Sequence, residues 1–527
     1  MTTEAPTTPS SAAGAPETSL ADWIAANAAR FPDKIFIDSV DQGKSITYGQ
    51  FATLTNRMGQ YLKSRGIRPN DRVAMLSNNA IEHLAVYIGG MAYGATICTI
   101  HVEMNAVYFE QILKAVKPGL TLYEAAEERI DAGRLAGATP GDWMELGDWR
   151  ADGGSTGFYG VLETMPDEKV PPVSRREDDA SIFYTSGTAS APKGVILTFR
   201  ELIDNVAPTA EGLALTDSDR ILEFRAFNWV SAQVLSGLAP LYKGATIVLA
   251  RRFSQSSYFD WVRDHKATIG ICNPTGLAMF LNRPIPVTHD DVPQLRFMTS
   301  SSAPLPTEQW RRFEEQYGIP VAQGYGCSEI GWIAVSNEHT RKFGTVGKPL
   351  PYLQLRIVDA EGTEVPRGET GEIELGGFDA NLYRYLDETG AEKIHARGRL
   401  RTGDLGLMDE DGCVRITGRA KDLIIRGGVN ISPAEIDNIV LQMPGLAEVA
   451  TIGVPDAIYG EEVVCYVAPV AGQSVTGDAV LAHCETRLPD FRMPKQILVR
   501  DALPKTERGK MNRLALLDDW KEEHAGG

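Results

Sequence analysis

Residues 184–194, Tyr-Thr-Ser-Gly-Thr-Ala-Ser-Ala-Pro-Lys-Gly, form the most informative stretch of this chain. Apolar residues precede and follow it, which predicts a strand, a loop, and then a second strand or the start of a helix. Glycine lets the backbone approach phosphate oxygens, hydroxyls can surround those oxygens, and Lys193 adds a positive charge. It is not a Walker A loop, because Pro192 precedes the lysine and Gly194 follows it. The stretch therefore predicts a site for a polyphosphate.

The composition indicates a globular protein with two or more domains. The chain has 527 residues, of which 43% are hydrophobic, and its formal net charge is −17. This length exceeds what one core usually supports, and the negative charge disfavours nucleic acid as a partner. The six cysteines are scattered without a CxxC pair, which is typical of the reducing cytosol and indicates no metal site. We therefore expect a cytoplasmic protein.

Two stretches need to be distinguished from targeting or membrane segments. Residues 1–19 are rich in Thr, Ser, Ala and Pro without an apolar run, so they predict a disordered tail rather than a signal peptide. Residues 84–100 carry no charge and approach the length of a membrane span, but three glycines interrupt them. We expect a buried helix, a glycine stop and a strand at residues 95–100, and no membrane span.

Apolar strands alternate with helical patterns over the first two thirds of the chain, which predicts parallel sheets covered by helices. The strand candidates are residues 73–76, 246–249, 269–272 and 295–298, and the helix candidates are residues 258–265 and 306–317. From about Leu353, short strands and turns predict a β-rich subdomain. Beyond it, a strand at residues 423–425 precedes a helix with Ser432 as its N-cap and Glu435 at position N3.

Four further motifs follow the loop in order. They are Gln-Gly-Tyr-Gly-Cys-Ser-Glu at 323–329, Arg-Thr-Gly-Asp at 401–404, Gly-Arg-Ala-Lys-Asp at 418–422 and Pro-Lys-Thr-Glu-Arg-Gly-Lys at 504–510. With the loop, they resemble the signatures of the AMP-forming adenylating superfamily, which contains acyl- and aryl-CoA synthetases, peptide-synthetase adenylation domains and beetle luciferases. Residues 46–48 and 71–74 are similar to the opening segments of that family. The chain most resembles the acyl- and aryl-CoA ligases.

The resemblance implies an α/β fold with a large N-terminal domain of helix-covered sheets, a β-rich subdomain and a small mobile α+β C-terminal lid. It divides the chain into the tail at 1–19, the N-terminal domain at 20–420 and the lid at 421–527. Lys421 would be the hinge about which the lid rotates between two half-reactions.

The implied reaction activates a carboxylic acid with ATP, giving an acyl-adenylate and pyrophosphate, and then transfers the acyl group to coenzyme A. The departing pyrophosphate gains negative charge, so the site must supply cations and N–H donors. Lys510, Glu329 and Lys193 would be catalytic, and Glu329 would hold Mg²⁺. Lys510 would stabilise the charge of the forming acyl-phosphate.

The resemblance also assigns binding residues. Tyr325 would stack on adenine, and Asp404 would accept from both ribose hydroxyls. The full set for ATP is Thr185, Ser186, Gly187, Thr188, Lys193, Ser302, Ala303, Pro304, Gly324, Tyr325, Gly326, Ser328, Asp404, Arg419 and Lys510. The acyl pocket would contain Asn228, Trp229, Gln233, Thr299, Ser300 and Trp332. Arg426, Gly427 and Gly428 would contact coenzyme A.

The chain departs from the family pattern at several positions. The family more often has Gly where Ser190, Ser301 and Ser302 stand, so close backbone approach is less assured here. Asn228 occupies the position of a histidine that gates the acyl pocket, and Trp229 would replace that gate. The tryptophans suit an aryl or medium acyl group, but the sequence does not identify the acid.

Two alternative functions remain open at this point. A stand-alone adenylating enzyme would load a carrier protein instead of coenzyme A, and a non-catalytic nucleotide-binding protein could share the same fold. The presence of Lys193, Glu329, Asp404 and Lys510 favours an enzyme. We expect a carboxylate, ATP and coenzyme A as ligands, and a homodimer is compatible with the sequence.

Overall fold

The computed structural model describes residues 19–185, 193–377, 382–396, 398–506 and 511–524. Its α-helices are α1 Leu20–Arg30, α2 Tyr48–Ser64, α3 Ile81–Tyr93, α4 Val107–Val116, α5 Ala132–Ala138, α6 Gly157–Glu163, α7 Phe199–Gly212, α8 Val230–Ala232, α9 Ala239–Lys243, α10 Tyr258–Asp264, α11 Pro274–Asn282, α12 Thr307–Tyr317, α13 Pro433–Val440, α14 Gly477–Glu485 and α15 Arg513–His524. A π-helical segment, Gln233–Leu238, joins α8 to α9.

The strands are β1 Ile35–Ser39, β2 Lys44–Thr47, β3 Arg72–Leu76, β4 Thr96–Ile100, β5 Leu120–Tyr123, β6 Asp142–Glu145, β7 Asp179–Thr185, β8 Lys193–Thr198, β9 Arg220–Glu223, β10 Thr246–Leu249, β11 Ile269–Cys272, β12 Phe297–Ser300, β13 Val321–Cys327, β14 Gly331–Val335, β15 Lys348–Pro349, β16 Gln354–Val358, β17 Gly371–Gly376, β18 Leu382–Leu386, β19 Glu392–Ala396, β20 Leu400–Met408, β21 Val414–Arg419, β22 Ile424–Arg426, β23 Val429–Ile431, β24 Leu446–Asp456, β25 Gly460–Pro469 and β26 Gln496–Val499.

Two large mixed sheets form the body of the molecule. One has nine strands in the order β15-β14-β13-β12-β11-β9-β10-β1-β2, and the other has eight in the order β19-β18-β8-β7-β4-β3-β5-β6. Helix α3 packs on β4 of one sheet and β1 of the other, and α7 packs on β7, β8 and β14. The two helices therefore lie between the sheets, and one hydrophobic core continues across both.

Two smaller sheets complete the fold. Strands β16, β17, β20 and β21 form an antiparallel four-stranded sheet, which is the expected β-rich subdomain. Strands β22 to β26 form a separate C-terminal sheet, on which α13 and α15 pack against β24. A 3₁₀ turn, Ala420–Asp422, lies between β21 and β22. This arrangement confirms the α/β fold with a large N-terminal part and a smaller C-terminal part.

Residues 84–100 fold as the sequence predicts. Helix α3 is buried throughout, Gly94 ends it in the left-handed conformation at φ 114°, and β4 follows. No helix in the described ranges combines the length and the apolar character that crossing a bilayer requires. The expected tail falls on residues outside the described ranges except for Ser19, which caps α1.

Two sequence predictions differ from the structure in detail. The strand expected at residues 295–298 is β12, two residues later, because the Leu295 N–H bonds the Val292 carbonyl in a turn. The helix expected after Ser432 is α13, and Ser432 is its N-cap residue. However, the Ser432 hydroxyl does not cap the helix; it donates to the Thr417 carbonyl of β21. The C-terminal part thereby attaches to the four-stranded sheet.

Candidate active site

The candidate residues gather where strands of both large sheets end. Parallel strands β9 and β12 of the nine-stranded sheet lead into residues 224–229 and 301–304, and β13 continues beyond its parallel pairing with β12 into residues 324–329. Parallel strands β4 and β7 of the eight-stranded sheet lead into His101 and the phosphate loop. The carboxyl ends of parallel strands are where α/β sheets place their ligands. The predicted segments at 227–229, 302–304 and 324–329, and the start of the phosphate loop at Thr185, therefore all lie at or just beyond the carboxyl ends of parallel strand pairs.

The phosphate loop connects two antiparallel strands. Strand β7 ends at Thr185, β8 begins at Lys193, and these two residues pair directly. The stretch after the loop is therefore a strand, and no helix begins until Phe199. Lys193 lies exposed at the mouth of the hairpin. Ser186, Gly187, Thr188 and Ser190 fall on residues outside the described ranges.

Glu329 lies beside the strand that carries Lys193. The Tyr385 hydroxyl donates a hydrogen bond to the Glu329 carboxylate, and Tyr385 of β18 pairs with Val195 of β8. Lys193 is two residues from Val195, so its side chain lies on the same face of the sheet as Tyr385. Burial, with the nearby Glu329 charge, raises the pKa of Tyr385, so its hydroxyl remains protonated. Lys193 and the Tyr385 side chain that binds Glu329 thus project from the same face of the sheet.

Asp404 is held by two protein partners. Its Oδ2 accepts from the Tyr325 hydroxyl at 2.7 Å, and its Oδ1 lies 2.7 Å from the Arg419 guanidinium. Asp404 and Arg419 also pair across β20 and β21. Burial, together with the Asp404 charge, raises the pKa of Tyr325, which keeps that hydroxyl a donor. Tyr325, the expected adenine-stacking residue, is mostly buried, and its hydroxyl binds the predicted ribose residue Asp404.

Cys327 is a partly buried thiol at the end of β13. It lies between Tyr325 and Glu329 on the same segment. Its pKa is raised by burial first, and further by the charges of Glu329 and Asp404. The thiol therefore stays protonated at neutral pH. The hairpin of β13 and β14 is tight here, because a Cβ on Gly326 would lie 2.2 Å from the Gly331 carbonyl oxygen.

Ser302 has a backbone conformation that favours glycine. Its φ is 76°, in the left-handed region, and the family more often has glycine at this position. Ser302 and Pro304 are exposed and Ala303 is partly exposed, directly after β12. This segment therefore lines the surface of the cleft, where the sequence placed the nucleotide.

The predicted acyl residues are mostly buried. Thr299 and Ser300 end β12, Gln233 begins the π-helical segment, and Asn228 lies close to it. Trp229 is partly buried, with its ring 5.7 Å from the His101 ring. Trp332, in contrast, belongs to the hydrophobic core: its ring packs on Gly324, and its Nε1 donates to the Ser231 carbonyl at 3.1 Å.

Sequence reasoning missed a buried ion pair beside the acyl residues. Arg225 binds Glu223 with two nitrogens, at 2.7 Å from Nη2 and 3.0 Å from Nε, and their side chains are 8% and 0% exposed. Ser236 donates to Glu223 at 2.6 Å, and Arg225 Nη1 donates to Ser301 at 3.2 Å. The sequence carries one signal for it: Glu223 and Arg225 stand two residues apart at the end of an apolar strand, which places opposite charges on one face.

The C-terminal candidates lie apart from these contacts. Lys421 is exposed in the 3₁₀ turn between the two parts of the chain. Gly427 and Gly428 form the turn between β22 and β23, where φ values of 57° and 82° require glycine. Arg426 packs over the Tyr459 ring and binds Glu462. Arg426 also donates to the Phe491 carbonyl at 3.1 Å, so its described polar contacts lie within the C-terminal part. Lys510 falls outside the described ranges.

Comparison with known proteins agrees with this geometry. Residues 24–382 match the family model for the AMP-binding enzyme, and residues 435–510 match that for the AMP-binding enzyme C-terminal domain. A sulfoacetate–CoA ligase from Cupriavidus necator is 34% identical over 95% of this chain and 97% of its own length. An indoleacetate–CoA ligase from Aromatoleum aromaticum is 31% identical over 94% and 96%.

A solved structure extends the likeness to the fold. ATP-bound MatB from Rhodopseudomonas palustris superposes with a TM-score of 0.84 at 26% identity, covering 95% of this chain and 99% of that one. The predicted family, fold class and enzyme class are confirmed. The chain belongs to the AMP-binding enzyme family and is an AMP-forming acid–CoA ligase, which activates a carboxylic acid as its acyl-adenylate and then forms the CoA thioester.

Proposed function

We propose that the cleft between the two large sheets performs both half-reactions, with the ATP ribose at Asp404 and the phosphates between Lys193 and Glu329. The observations that support this assignment are two sets of contacts: Arg419 and Tyr325 both bind Asp404, and Tyr385 binds Glu329, which follows Tyr325 by four residues. These residues come from three sheets and lie far apart in sequence. A nucleotide site needs polar side chains from distant segments to lie close together, and unrelated surface residues would not do so.

In the first half-reaction, a carboxylate oxygen of the acid attacks the α-phosphorus of ATP. The new bond joins that oxygen to phosphorus, and the bond from the α-phosphorus to the bridging oxygen breaks, so pyrophosphate leaves with the electron pair. Negative charge therefore builds on the β- and γ-phosphates. Lys193, exposed at the mouth of the β7–β8 hairpin, is the described cation that we assign to this charge.

Asp404 can hold the ribose without losing its present partners. Each carboxylate oxygen has more than one acceptor position, so oxygens that accept from Tyr325 and Arg419 can also accept from ribose hydroxyls. Because Tyr325 and Arg419 fix the carboxylate in place, its orientation is set before ATP binds. We assign Ser302, Ala303, Pro304, Gly324, Gly326 and Ser328 to the surrounding surface of the nucleotide.

Glu329 fits a magnesium ion. Mg²⁺ typically binds one or two protein carboxylates and takes its other ligands from water and phosphate oxygens. Glu329 offers one carboxylate, which Tyr385 orients by hydrogen bonding beside the strand that begins at Lys193. The bound ion would supply positive charge at the phosphates. Glu329 would hold it, and Tyr385 would keep the carboxylate aimed at the cleft.

In the second half-reaction, the thiol of coenzyme A attacks the acyl carbon. A carbon–sulfur bond forms, the bond to the AMP oxygen breaks, and the thiol proton is released. We propose a tail at 1–19, an N-terminal domain at 20–420 and a mobile lid at 421–527 with its hinge at Lys421. Lys510 would serve adenylation, and Arg426, Gly427 and Gly428 would approach coenzyme A after rotation. A homodimer and a cytoplasmic location stay predictions.

The substitution Asp404→Asn tests the nucleotide assignment. The amide has lost the charge and one acceptor oxygen, and a hydrogen bond to a charged group contributes about 1.5–3 kcal/mol. We therefore expect kcat/KM for ATP to fall roughly 10- to 100-fold in acid-dependent exchange of pyrophosphate into ATP. The matched control is Asp409→Asn, just beyond the same strand, where the carboxylate pairs with Lys342 at 2.8 Å. It should keep kcat/KM within about threefold of the parent.

A result in which both variants retain the parent kcat/KM would remove Asp404 from the nucleotide site. The thiol acceptor is tested in the same preparation by supplying coenzyme A or a carrier protein with the same acid. We expect AMP release with coenzyme A and none with the carrier protein in its place.

A further inference from the structure

The loop between β12 and α12 is buried at its two ends and lies at the surface in its middle. Ser301 and Leu305 are 3% and 4% exposed, whereas residues 302–304 are exposed or partly exposed. Within the described ranges, no hydrogen bond reaches the backbone of Ser302 or Ala303. Residues 302–304, called the nucleotide segment below, are those that the proposed function assigns to the surface around ATP. Their own contacts do not hold them in place.

The nucleotide segment begins with a strained residue. Ser302 has a φ of 76°, in the left-handed region that residues with a side chain rarely adopt. Lys117, Ala214 and Lys266 share this region, but each closes the end of a helix, where the conformation is common. Ser302 instead follows a strand. Such strain persists only where the surrounding structure enforces it, so the two ends of the loop have to supply the constraint.

Arg225 holds the first end of the loop. Its Nη1 donates to the Ser301 hydroxyl at 3.2 Å, and both side chains are buried. Ser301 directly precedes the strained Ser302. A hydrogen bond from a charged donor to a buried hydroxyl is stronger than one between neutral groups. The contact therefore fixes the chain where the strained conformation begins.

Arg225 is itself fixed from several directions. Its guanidinium binds the Glu223 carboxylate through Nη2 at 2.7 Å and Nε at 3.0 Å, and its backbone N–H donates to the same carboxylate at 2.7 Å. The Arg225 carbonyl accepts from Asn79 Nδ2 at 2.9 Å. Because both its main chain and its side chain are held, Arg225 can act as an anchor that is in place before ATP binds.

Gln323 holds the second end of the loop. Its Oε1 accepts from the Leu305 N–H at 3.0 Å, and its Nε2 donates to the Thr345 carbonyl at 3.3 Å. Gln323 is buried on β13, directly before the predicted nucleotide residues Gly324 and Tyr325. The strand that carries those residues therefore also fixes the loop beside them.

We propose that Arg225 is a positioning residue for ATP: through Ser301 it holds Ser302 in the left-handed conformation and so fixes the nucleotide segment. Gln323 completes the constraint at the other end. Neither Arg225 nor Gln323 is assigned a contact with the nucleotide. The proposal rests on the proposed function, because it requires that ATP binds against residues 302–304.

Ser301→Ala tests the proposal without breaking the buried ion pair. It removes the hydroxyl that Arg225 binds, whereas replacing Arg225 would leave Glu223 buried without its partner. The readout is Kd for ATP in the presence of Mg²⁺, measured by isothermal titration calorimetry on the whole chain. This measurement does not require the acid to be known. We expect Kd to rise about tenfold, because the segment is no longer held in its binding conformation.

Ser236→Ala is the matched control. The Ser236 hydroxyl is also buried and donates to Glu223 at 2.6 Å, so it bonds the opposite side of the same ion pair without touching the loop. Each substitution removes one hydrogen bond to a charged group, and urea unfolding should show similar losses of stability. Kd for ATP should stay within about threefold of the parent in Ser236→Ala only.

The strain at Ser302 provides a second test. Glycine adopts a positive φ without strain, so a segment with glycine at position 302 depends less on its anchor. In a Ser302→Gly background, the Ser301→Ala substitution should therefore raise Kd for ATP less than about threefold, compared with tenfold in the parent. A general loss of stability at Ser301 would not depend on the residue at position 302 in this way.

The outcomes separate the two proposals. The positioning role is overturned if Ser301→Ala leaves Kd at the parent value, if Ser236→Ala raises it equally, or if the tenfold effect persists in the Ser302→Gly background. Asp404→Asn in the same titration tests the proposed function. If it too leaves Kd unchanged, the nucleotide assignment fails, and the positioning role falls with it.

Discussion

Polar side chains on the nucleotide side of the cleft have hydrogen-bond partners in the protein, whereas several on the acyl side do not. On the nucleotide side, Asp404 is bound by Tyr325 and Arg419, and Glu329 is bound by Tyr385. On the acyl side, Asn228, Gln233 and Ser300 each present a buried atom without a partner. One half of the cleft is oriented by protein contacts, whereas the other half leaves hydrogen-bonding groups unsatisfied.

The difference matches what each side has to recognise. ATP is the same in every turnover, so side chains that are fixed in advance lose little freedom when it binds. The acid determines specificity, and a buried group that only the correct acid satisfies rejects acids that lack its partner. Under the proposed assignment, the acyl side reduces the stability of the fold in exchange for selectivity. We expect substitutions there to change stability and substrate choice together.

The largest expected effect on stability comes from the ion pair that supports the acyl side. Arg225→Met leaves Glu223 buried without its partner, and breaking a buried pair in this way typically destabilises a protein by about 3–5 kcal/mol. Urea unfolding should show this loss. The double variant Glu223→Gln/Arg225→Met removes both charges and should recover most of it.

A single variant within about 1 kcal/mol of the parent would show that water or another group satisfies Glu223. Water would then reach the buried polar groups of the acyl side, and these groups would differ less from the hydrogen-bonded groups of the nucleotide side. A double variant that is no more stable than the single one would instead point to packing around Arg225 as the main contribution.

The sequence predicted the parts of the cleft that local motifs carry. The two strands around the phosphate loop were readable from their apolar residues, and Asp404 and Arg419 belong to short motifs on neighbouring strands. Strands at residues 246–249 and 269–272 were placed correctly because apolar runs of that length are bounded by polar turns. The resemblance to a family then supplied the roles that spacing alone does not.

The rest depends on contacts between distant segments. Tyr385 reaches Glu329 only because β18 pairs with β8, which lies almost 200 residues earlier in the chain, and no local pattern encodes that register. Ser432 has the ideal residue type for a helix cap, yet its hydroxyl binds Thr417 because the C-terminal part packs on β21. Trp332 at the acyl pocket stays a prediction; its ring packs on Gly324 within the hydrophobic core, a contact that no local pattern encodes.

His83, which also has a buried atom without a partner, makes the stability of the fold depend on pH. It is fully buried at the start of α3, its Nδ1 lies 2.9 Å from the Ser77 hydroxyl, and its Nε2 has no partner. Burial, as the main cause, lowers the pKa of His83 to about 4 from 6.5. Because the unfolded chain binds this proton more tightly, stability is complete above pH 6.5 and falls as the pH decreases toward 4. The shift corresponds to about 3 kcal/mol.

Urea unfolding at a series of pH values from 7 to 4 measures this effect. His83→Gln removes the titrating group, so its stability should fall about 3 kcal/mol less than that of the parent over that range. His339→Gln is the matched control, because that side chain is 80% exposed. It should follow the parent curve. Parallel curves for the parent and His83→Gln would show that His83 is protonated in the folded state as readily as in the unfolded chain.

The smallest expected effect on stability lies on the nucleotide side. There one residue has a strained backbone, whereas the acyl side has buried atoms without hydrogen-bond partners. Ser302 adopts φ 76°, which costs a residue with a side chain about 1–2 kcal/mol relative to glycine. Ser302→Gly relieves that strain but gives the unfolded chain more freedom, so the net gain in stability should be about 0.5–1 kcal/mol. Ser301→Gly, one residue earlier, should lose stability, because Ser301 accepts from Arg225 and is not strained. If Ser302→Gly were destabilising, contacts of the serine side chain would have to outweigh its backbone strain, and the nucleotide side would depend on side-chain pairing at this position as well.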